Sequence, residues 1–486
     1  MAADRPVSLA RETMGRPPEM SNGRFLDGRQ RRILLALGGT WVLTLVVKPV
    51  LAITILNALI TLVYVIVLLY NAAWFRQSLK VPGLVQVSDW EARSIPDDEL
   101  PTYTVLVAAY REGNLIADTL LMLELLDYPK DKLEIKLLLE SDDSQTILAA
   151  MRALVGSQIR IVHVPAGQPR TKPKALNYGW QTSSGELVTV FDVEDIPDPL
   201  QLRRAAVAFQ RLDPSVVCLQ ARLQYHNASQ NLITRWFAAE YMTWFSTMLP
   251  ALIRMGSPIP LGGTSMHVRA SALRTVGGWD PYNVTEDADL GIRLHRQGFR
   301  TLILDSVTFE EANVDFVNWV KQRSRWYKGY LQTWLVHMRR PLDTWRQLGA
   351  LGFVGFCVVV GAAPVLALLN PICWLLVIIW FIGHYIQIKA VFPGWIFYPA
   401  MLCMFLGNFL AFYRNLVAVR IAGRPQLIPA LMLFPIYWLM MSIAAVRAFA
   451  QMATAPSFWD KTMHGLDHRR VADGSELRWQ SPPISR

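Results

Sequence analysis

The chain has 486 residues and a formal net charge of +10, with 48 basic and 38 acidic side chains. Hydrophobic residues make up 52% and charged residues only 18%, against about 25% charged residues in a typical soluble protein, which excludes a disordered chain and an ordinary soluble enzyme. No basic-aromatic stripe, HExxH motif or paired Cys/His spacing occurs, so nucleic-acid binding, a zinc site and a disulfide framework are not expected.

The N-terminal region predicts insertion into a membrane. Residues 1–32 are polar and rich in arginine, which indicates a cytoplasmic tail rather than a signal peptide. Residues 33–75 are almost continuously apolar apart from Lys48-Pro49, and they are long enough for a hairpin of two helices of about 20 residues each. Basic residues flank this hairpin, so both of its ends are expected in the cytoplasm. Residues 76–100 form a polar linker.

Residues 101–340 have the pattern of a soluble α/β domain that is long enough for one core. Short apolar runs alternate with helix-length segments, which predicts a sheet covered by helices on both faces. Two aromatic-rich segments, 231–252 and 317–338, are typical of helices at a membrane surface, with core helices as the alternative. The predicted strands are Tyr103–Ala109, Ile135–Leu139, Ile159–Val164, Leu187–Phe191 and Val216–Leu219.

Four apolar blocks follow in the C-terminal part of the chain. With the hairpin they predict about six spanning helices, a bundle over 341–450 and a cytoplasmic tail over 451–486. This count leaves Arg414, Arg420 and Arg424 outside, against the usual distribution of positive charge, unless the segment is interfacial or one block is re-entrant. No inverted repeat supports a transporter. The blocks are 349–369, 372–388, 395–413 and 427–449.

Acidic residues follow two of the predicted strands. Glu140 and Asp142 lie in LLLESDDS, and Asp192 and Glu194 lie in VFDVEDIPDP. Ligands of open α/β sheets bind beyond the carboxyl ends of the strands. Asp192 and Glu194, two positions apart, can both reach one hard cation such as Mg²⁺ or Mn²⁺. A solvated turn with acidic caps is the alternative.

Three further motifs complete an ordered set. Residues 262–264 read GGT, residues 285–287 read TED, and residues 322–326 read QRSRW. The set resembles the family 2 glycosyltransferases over roughly 101–340, specifically the processive, membrane-embedded cellulose, hyaluronan and chitin synthases. The resemblance implies a nucleotide-sugar-binding (GT-A-like) α/β domain beside an α-helical transmembrane bundle. It also implies inverting hexosyl transfer and a bacterial inner membrane, with the catalytic domain in the cytoplasm.

The resemblance assigns roles to individual positions. Asp287 matches the catalytic base that takes the proton of the acceptor hydroxyl. Asp192 and Glu194 match the pair that holds a divalent metal, Mg²⁺ or Mn²⁺, although Glu stands where the family usually has Asp. The donor-binding matches are Tyr110, Glu112, either Glu140 or Asp142, Lys172, Asp192, Gln322 and Arg325. The acceptor- and product-binding matches are Gly263, Thr264, Glu286 and Trp326.

A short motif in the tail is similar to the gating segment that covers the donor in cellulose synthases, where it lies between membrane helices. Its matching residues are Trp459, Lys461 and Thr462.

Two enzyme functions fit these patterns. The first is a processive inverting synthase that polymerises a UDP-sugar, UDP-glucose by family frequency, into a β-linked polysaccharide and translocates it. The alternative is a non-processive transferase that adds one or a few sugars to a lipid. The implied partners are the UDP-sugar, the growing polysaccharide or glycolipid, and membrane lipids. A transporter with a degenerate domain would have lost its acids, whereas Asp192 and Asp287 remain.

Overall fold

The structure of the protein is a computed structural model. It describes residues 20–465, apart from 24, 81–82, 154–158, 384–389, 457 and 463–464. The parts of the predicted tails at 1–19 and 466–486 therefore lie outside the described residues.

The centre of the described fold is one mixed nine-stranded sheet. Its main order is β1-β9-β7-β8-β5-β2-β3-β4, and β6 pairs with β9. β2 to β5 run parallel to one another, whereas β8 is antiparallel to both β5 and β7. The strands are β1 (Leu84–Val85), β2 (Tyr103–Ala109), β3 (Leu133–Glu140), β4 (Arg160–Val164), β5 (Leu187–Phe191), β6 (Ile196–Pro197), β7 (Val216–Tyr225), β8 (Met266–Arg269) and β9 (Arg300–Glu310).

Helices cover both faces of the sheet, as the sequence predicted. One apolar core joins the sheet to α3, α4, α5 and α7, and a second joins it to α6, α10 and α11. Burial on both faces explains why β2 and β5 are continuous apolar runs instead of alternating patterns. The helices of this part are α3 (Asp89–Ser94), α4 (Ile116–Glu124), α5 (Ser144–Ala153), α6 (Lys172–Gln181), α7 (Gln201–Arg211), α8 (Leu232–Thr243), α9 (Leu249–Arg254), α10 (Ala270–Thr275), α11 (Glu286–Arg296) and α12 (Phe316–His337).

The apolar helices precede and follow this domain. Within the described residues, five helical stretches are long and apolar enough to span a membrane, whereas the sequence predicted about six. The difference arises because the predicted blocks at 349–369 and 372–388 belong to one helical stretch, Pro341–Ile379, which runs through Pro371. The helices are α1 (Gly28–Val47), α2 (Pro49–Ser78), α13 (Pro341–Phe356), α14 (Ala363–Gly383), α15 (Gly394–Ile421), α16 (Ile428–Leu431) and α17 (Phe434–Thr454).

Helices α8 and α12 connect the sheet domain to the apolar helices. Trp236 and Phe237 on α8 and Trp319 on α12 are buried, and they pack with Tyr437 on α17 in one cluster. These rings contact one another and neighbouring helices instead of forming an exposed surface. The two aromatic segments therefore form the contact between the sheet domain and the apolar helices.

The last helix, α17, begins and ends beside the sheet domain. At its start, the Tyr437 hydroxyl donates to Glu240 Oε2 on α8 at 2.6 Å. After its end, Lys461 donates to the main-chain carbonyl of Tyr110. Both partners lie in the same soluble domain, so both ends of α17 contact that domain while the helix packs against α12, although its length and composition would permit it to span a membrane.

This course of α17 also places the arginines of α15. The carbonyl of Ala430 accepts from Trp236 Nε1 at 2.7 Å, and Asn415 Oδ1 accepts from Thr243 Oγ1 at 2.7 Å. The C-terminal end of α15 therefore lies on the side of the sheet domain, together with Arg420 and the following Arg424. This placement differs from the count of spans made from the sequence, which left Arg420 and Arg424 on the outer side.

Candidate active site

A cavity of about 430 Å³ lies at the carboxyl ends of β2, β3 and β5. Parallel strands bring the residues that follow them to one edge of the sheet, so distant parts of the sequence meet there. Of the residues predicted for the site, only Asp142 and Thr264 do not line this cavity. Those that do are Tyr110, Glu112, Glu140, Lys172, Asp192, Glu194, Gly263, Glu286, Asp287, Gln322, Arg325, Trp326, Trp459, Lys461 and Thr462.

The two acids after β3 have different positions. Glu140 lines the cavity and pairs with Lys174, with 3.0 Å between Oε2 and Nζ. Asp142 pairs instead with Arg170, whose Nη1 also donates to the Tyr110 hydroxyl at 3.2 Å. Burial raises the pKa of Glu140, although Lys174 opposes this shift. Glu140 therefore lies at the cavity, whereas Asp142 is not among its lining residues and pairs with Arg170.

Lys172 lies at the start of α6, between the acids and the GGT loop. Its Nζ is paired with Asp192 and donates to the carbonyl of Gly263 at 2.9 Å. Burial lowers the pKa of Lys172, but the carboxylates of Asp192 and Glu286 outweigh this effect and raise the pKa overall. The side chain therefore stays protonated and offers a fixed positive charge at the wall of the cavity.

The acids after β5 supply oxygen atoms for a cation. Asp192 and Glu194 line the cavity, and the neighbouring Asp195 is buried with its Oδ1 lacking a hydrogen-bond partner in the described structure. Among the described residues, no group of three or more His, Cys, Asp or Glu is arranged to hold a metal. Mg²⁺ is commonly held by one or two carboxylates together with substrate phosphates. Asp192 and Glu194 fit this donor set.

Asp287 and Glu286 begin α11, where the positive end of the helix favours acids. Burial raises the pKa of Asp287 to about 6, although the Ala288 amide and Lys172 act against the shift. Burial and the charge of Asp287 also raise the pKa of Glu286. A carboxylate whose pKa lies close to neutral pH is suited to accept a proton from a hydroxyl group.

Arg325 and Gln322 extend from α12 into the cavity. Gln322 Oε1 accepts from Asn313 Nδ2 at 2.7 Å, which fixes the amide. The Nε of Arg325 is buried and has no hydrogen-bond partner among the described residues. An unpaired guanidinium N–H beside Lys172 is suited to bind a phosphate oxygen.

An aromatic wall closes the side of the cavity nearest the apolar helices. The ring of Trp326 is stacked with that of Tyr241 on α8, with centroids 6.2 Å apart and planes at 27°. Both rings line the cavity. A flat apolar wall of this kind can pack against the C–H face of a sugar ring.

The segment after α17 also lines the cavity. The guanidinium of Arg325 lies 4.5 Å from the centroid of the Trp459 ring. Lys461 Nζ lies 3.3 Å from Glu112 Oε1, so this segment contacts the residues that follow β2. Helix α12 anchors it, because Lys328 Nζ donates to the Phe458 carbonyl at 2.6 Å and Gln332 Nε2 to the Pro456 carbonyl at 2.8 Å.

Sequence reasoning missed several residues at this cavity. Arg170 and Lys174 flank Lys172 and pair with the acids after β3. Glu310 also lines the cavity; it ends β9, so its position after a strand-like run was a usable signal. Tyr241 gave no such signal, because its place depends on how α8 packs. Thr264, predicted at the acceptor, is instead fully buried and donates to Asp195.

Comparisons with known proteins agree with this geometry. Residues 101–329 match the family model described as "Glycosyltransferase like family 2". The chain is 29% identical over 366 residues to a beta-monoglucosyldiacylglycerol synthase of Synechocystis sp., covering 69% of this chain and 74% of that protein. It is 25% identical over 284 residues to cellulose synthase 2 of Novacetimonas hansenii, covering 56% of this chain but only 16% of that protein. Three other curated relatives are matched over only 55–56% of their length.

A solved structure with a related fold is the mannosyltransferase PcManGT of Pyrobaculum calidifontis in complex with GDP-Man and Mn²⁺. The TM-score is 0.51 at 19% identity, over 83% of this chain and 99% of that one. This likeness and the sheet topology make residues 101–329 a GT-A-like domain. The family 2 homologues indicate a nucleotide-sugar-dependent hexosyltransferase. Residues 101–329 are therefore similar to the family 2 glycosyltransferases.

Proposed function

We propose that the protein is a processive, inverting hexosyltransferase that polymerises a UDP-sugar, with UDP-glucose as the first candidate, into a β-linked polysaccharide and passes it across the membrane. The observation that carries this proposal is that one cavity is lined both by the segment of Trp459 and Lys461 and by the rings of Trp326 and Tyr241. The segment would cover the donor, and the rings would bind the acceptor.

This division suits repeated transfer. After each transfer the nucleotide must leave and a new donor must enter, while the glycan end stays bound. A cover that contacts Arg325 and Glu112 can open for the nucleotide while the rings of Trp326 and Tyr241 keep the glycan bound. The cover would then act as the gating segment that the sequence resemblance indicates.

In the transfer step, the Asp287 carboxylate takes the proton of the acceptor hydroxyl as its oxygen attacks the anomeric carbon. The bond between that carbon and the phosphate oxygen breaks, and the electron pair leaves with UDP. Attack from the face opposite to UDP inverts the configuration, so an α-linked donor gives a β-linked product. General-base assistance of this kind contributes about 10²–10⁴-fold.

The leaving diphosphate gains negative charge. Lys172 and Arg325 face the cavity as cations and stabilise that charge without first having to reorganise. A divalent cation held by Asp192 and Glu194 would supply further neutralisation of the diphosphate. Tyr110, Glu112 and Glu140, at the ends of β2 and β3, would contact the nucleoside.

A second candidate is transfer of one or a few sugars to a lipid. It is favoured by the beta-monoglucosyldiacylglycerol synthase, which matches 69% of this chain. The chemistry at Asp287 is the same in both cases, and only the acceptor differs. For either acceptor we place the enzyme in a bacterial inner membrane with its catalytic domain in the cytoplasm. The arginines at the ends of α2 and α15 support that orientation.

The test is to purify the full chain in lipid nanodiscs and to measure UDP release with Mg²⁺ or Mn²⁺ across a panel of UDP-sugars, and then to size the product. We expect one donor to be preferred and a water-soluble polymer of many sugars to form. A product that extracts into organic solvent and carries one or two sugars would contradict processivity and establish the second candidate. Asp287→Asn is the inactive control.

A further inference from the structure

A second cavity lies among the apolar helices α2, α14 and α15. Its volume is about 560 Å³, within the range of about 300–1,000 Å³ that is usual for ligand pockets. Its wall is largely aliphatic, and it shares no lining residue with the active-site cavity. Such a wall favours a hydrocarbon chain over a sugar. Leu56, Ile60, Leu369, Met401 and Leu410 are representative lining residues.

Arg414 lies at the edge of this cavity and lacks an acidic partner. Its Nη1 donates to Asn71 Oδ1 at 3.0 Å, and its guanidinium lies 5.3 Å from the centroid of the Trp74 ring. The Nε atom is buried without a hydrogen-bond partner. Within the described part of the chain, no carboxylate is at ion-pair distance from Arg414.

The acid on the neighbouring helix is already occupied. Glu240 on α8 accepts from Arg323 Nη1 at 2.9 Å and from the Tyr437 hydroxyl at 2.6 Å. Arg414 is half-buried, and a partly buried cation without a counter-charge is costly. The charge of Arg414 is therefore complementary to an anion that reaches the cavity from elsewhere.

The depth of Arg414 in the apolar layer fits the position of a lipid phosphate. It lies seven residues before the end of α15, which is about 10 Å along a helix. Its neighbour Asn415 accepts the hydrogen bond from Thr243 of the sheet domain. Arg414 is thus near the surface of the apolar layer on the side of the sheet domain, where headgroups meet hydrocarbon.

We propose that this cavity binds the acyl chain of one anionic phospholipid of the bilayer, whose phosphate pairs with Arg414 and Asn71. Arginine forms strong, charge-assisted hydrogen bonds with phosphate oxygens. The aliphatic wall contributes affinity by covering the chain. The site is separate from the sugar-transfer cavity, so the inference does not depend on the acceptor.

The first experiment titrates dioleoylphosphatidylglycerol into the purified full chain in a neutral detergent and follows the thermal unfolding midpoint. A ligand that binds only the folded state raises this midpoint. We expect a saturable rise, and native mass spectrometry should show one retained lipid. Two control ligands each lack one part of this lipid: dioleoylglycerol lacks the phosphate, and inorganic phosphate lacks the acyl chain. Each should bind with less than a tenth of the affinity of dioleoylphosphatidylglycerol. An equal effect of dioleoylglycerol would overturn the inference and point to a neutral lipid.

Variants test the phosphate-binding part and the chain-binding part of the site separately. Arg414→Gln should weaken the phosphatidylglycerol effect at least tenfold, whereas Arg420→Gln, an exposed arginine of the same helix, should not. Gly407 lines the cavity and a Cβ there meets no atom within 4 Å, so Gly407→Leu fills the cavity while the helix is retained. Gly39→Leu is its control on α1. An unchanged lipid effect in both Arg414→Gln and Gly407→Leu would overturn the proposal.

Discussion

Gly263 lies against the carboxylate of Asp287: a Cβ at position 263 would be 2.9 Å from Asp287 Oδ2. The backbone of Gly263 has φ of +81°, in the left-handed region that favours glycine. The loop therefore approaches the proposed base more closely than a residue with a side chain allows. The Gly263 carbonyl also accepts from Lys172, so one residue fixes the spacing between the proposed base and the cation.

This contact predicts a specific loss of catalytic rate in Gly263→Ala. The new methyl group displaces the Asp287 carboxylate, and a displacement of about 1 Å can cost about 10²-fold in rate. We expect kcat to fall by that order, while the thermal unfolding midpoint falls by about as much as in a control glycine with the same φ, because an alanine is strained at either position. Gly298→Ala is the matched control, since Gly298 has φ of +80° and open space around its Cβ position. Equal kcat losses in both variants would refute the steric explanation.

The raised pKa of Asp287 predicts the acid limb of the pH profile. A general base must be deprotonated to act, and burial raises the pKa of Asp287 to about 6. Activity should therefore be present above pH 6 and fall about tenfold per pH unit below it. The profile of kcat/KM for the donor measures this pKa in the free enzyme. A profile that stays flat from pH 6.5 down to pH 4.5 would contradict the assignment.

The segment after α17 should affect donor binding more than chemistry. Lys461 contacts the Tyr110 carbonyl and Glu112, so Lys461→Ala removes the contact between the cover and the end of β2. We expect KM for the UDP-sugar to rise about tenfold, with kcat changed less. Lys130→Ala, at an exposed position away from the cavity, is the control. If KM is unchanged, the segment does not cover the donor.

The course of α17 predicts the accessibility of its ends. In a variant without the four native cysteines, Met432→Cys and Thr454→Cys place one thiol at each exposed end of α17. A membrane-impermeant maleimide should label both from the side that carries the sheet domain. Leu79→Cys, after α2, marks that side. If the two positions are labelled from opposite sides of a sealed vesicle, α17 crosses the membrane.

The strands and acids could be predicted because their signals are local. β2 and β5 are buried on both faces and so read as apolar runs, and the acids that follow them mark the ligand edge. Arg170 and Tyr241 could not be found in this way, since their contacts depend on how separate elements pack. Hydropathy alone also did not show that both ends of α17 contact the sheet domain. Its hydrogen bond from Tyr437 to Glu240 and the ion pair of Arg447 with Asp460 are visible only in three dimensions.

The most direct test of the central claim compares UDP release by the intact protein and by Asp287→Asn, together with the anomeric configuration of the product. Substitution by Asn removes the base but keeps the shape of the side chain. We predict a β-linked product from an α-linked donor, and a kcat about 10²–10⁴-fold lower in the variant with UDP affinity retained. An α-linked product, or a variant that retains the wild-type kcat, would contradict inverting transfer with Asp287 as the base.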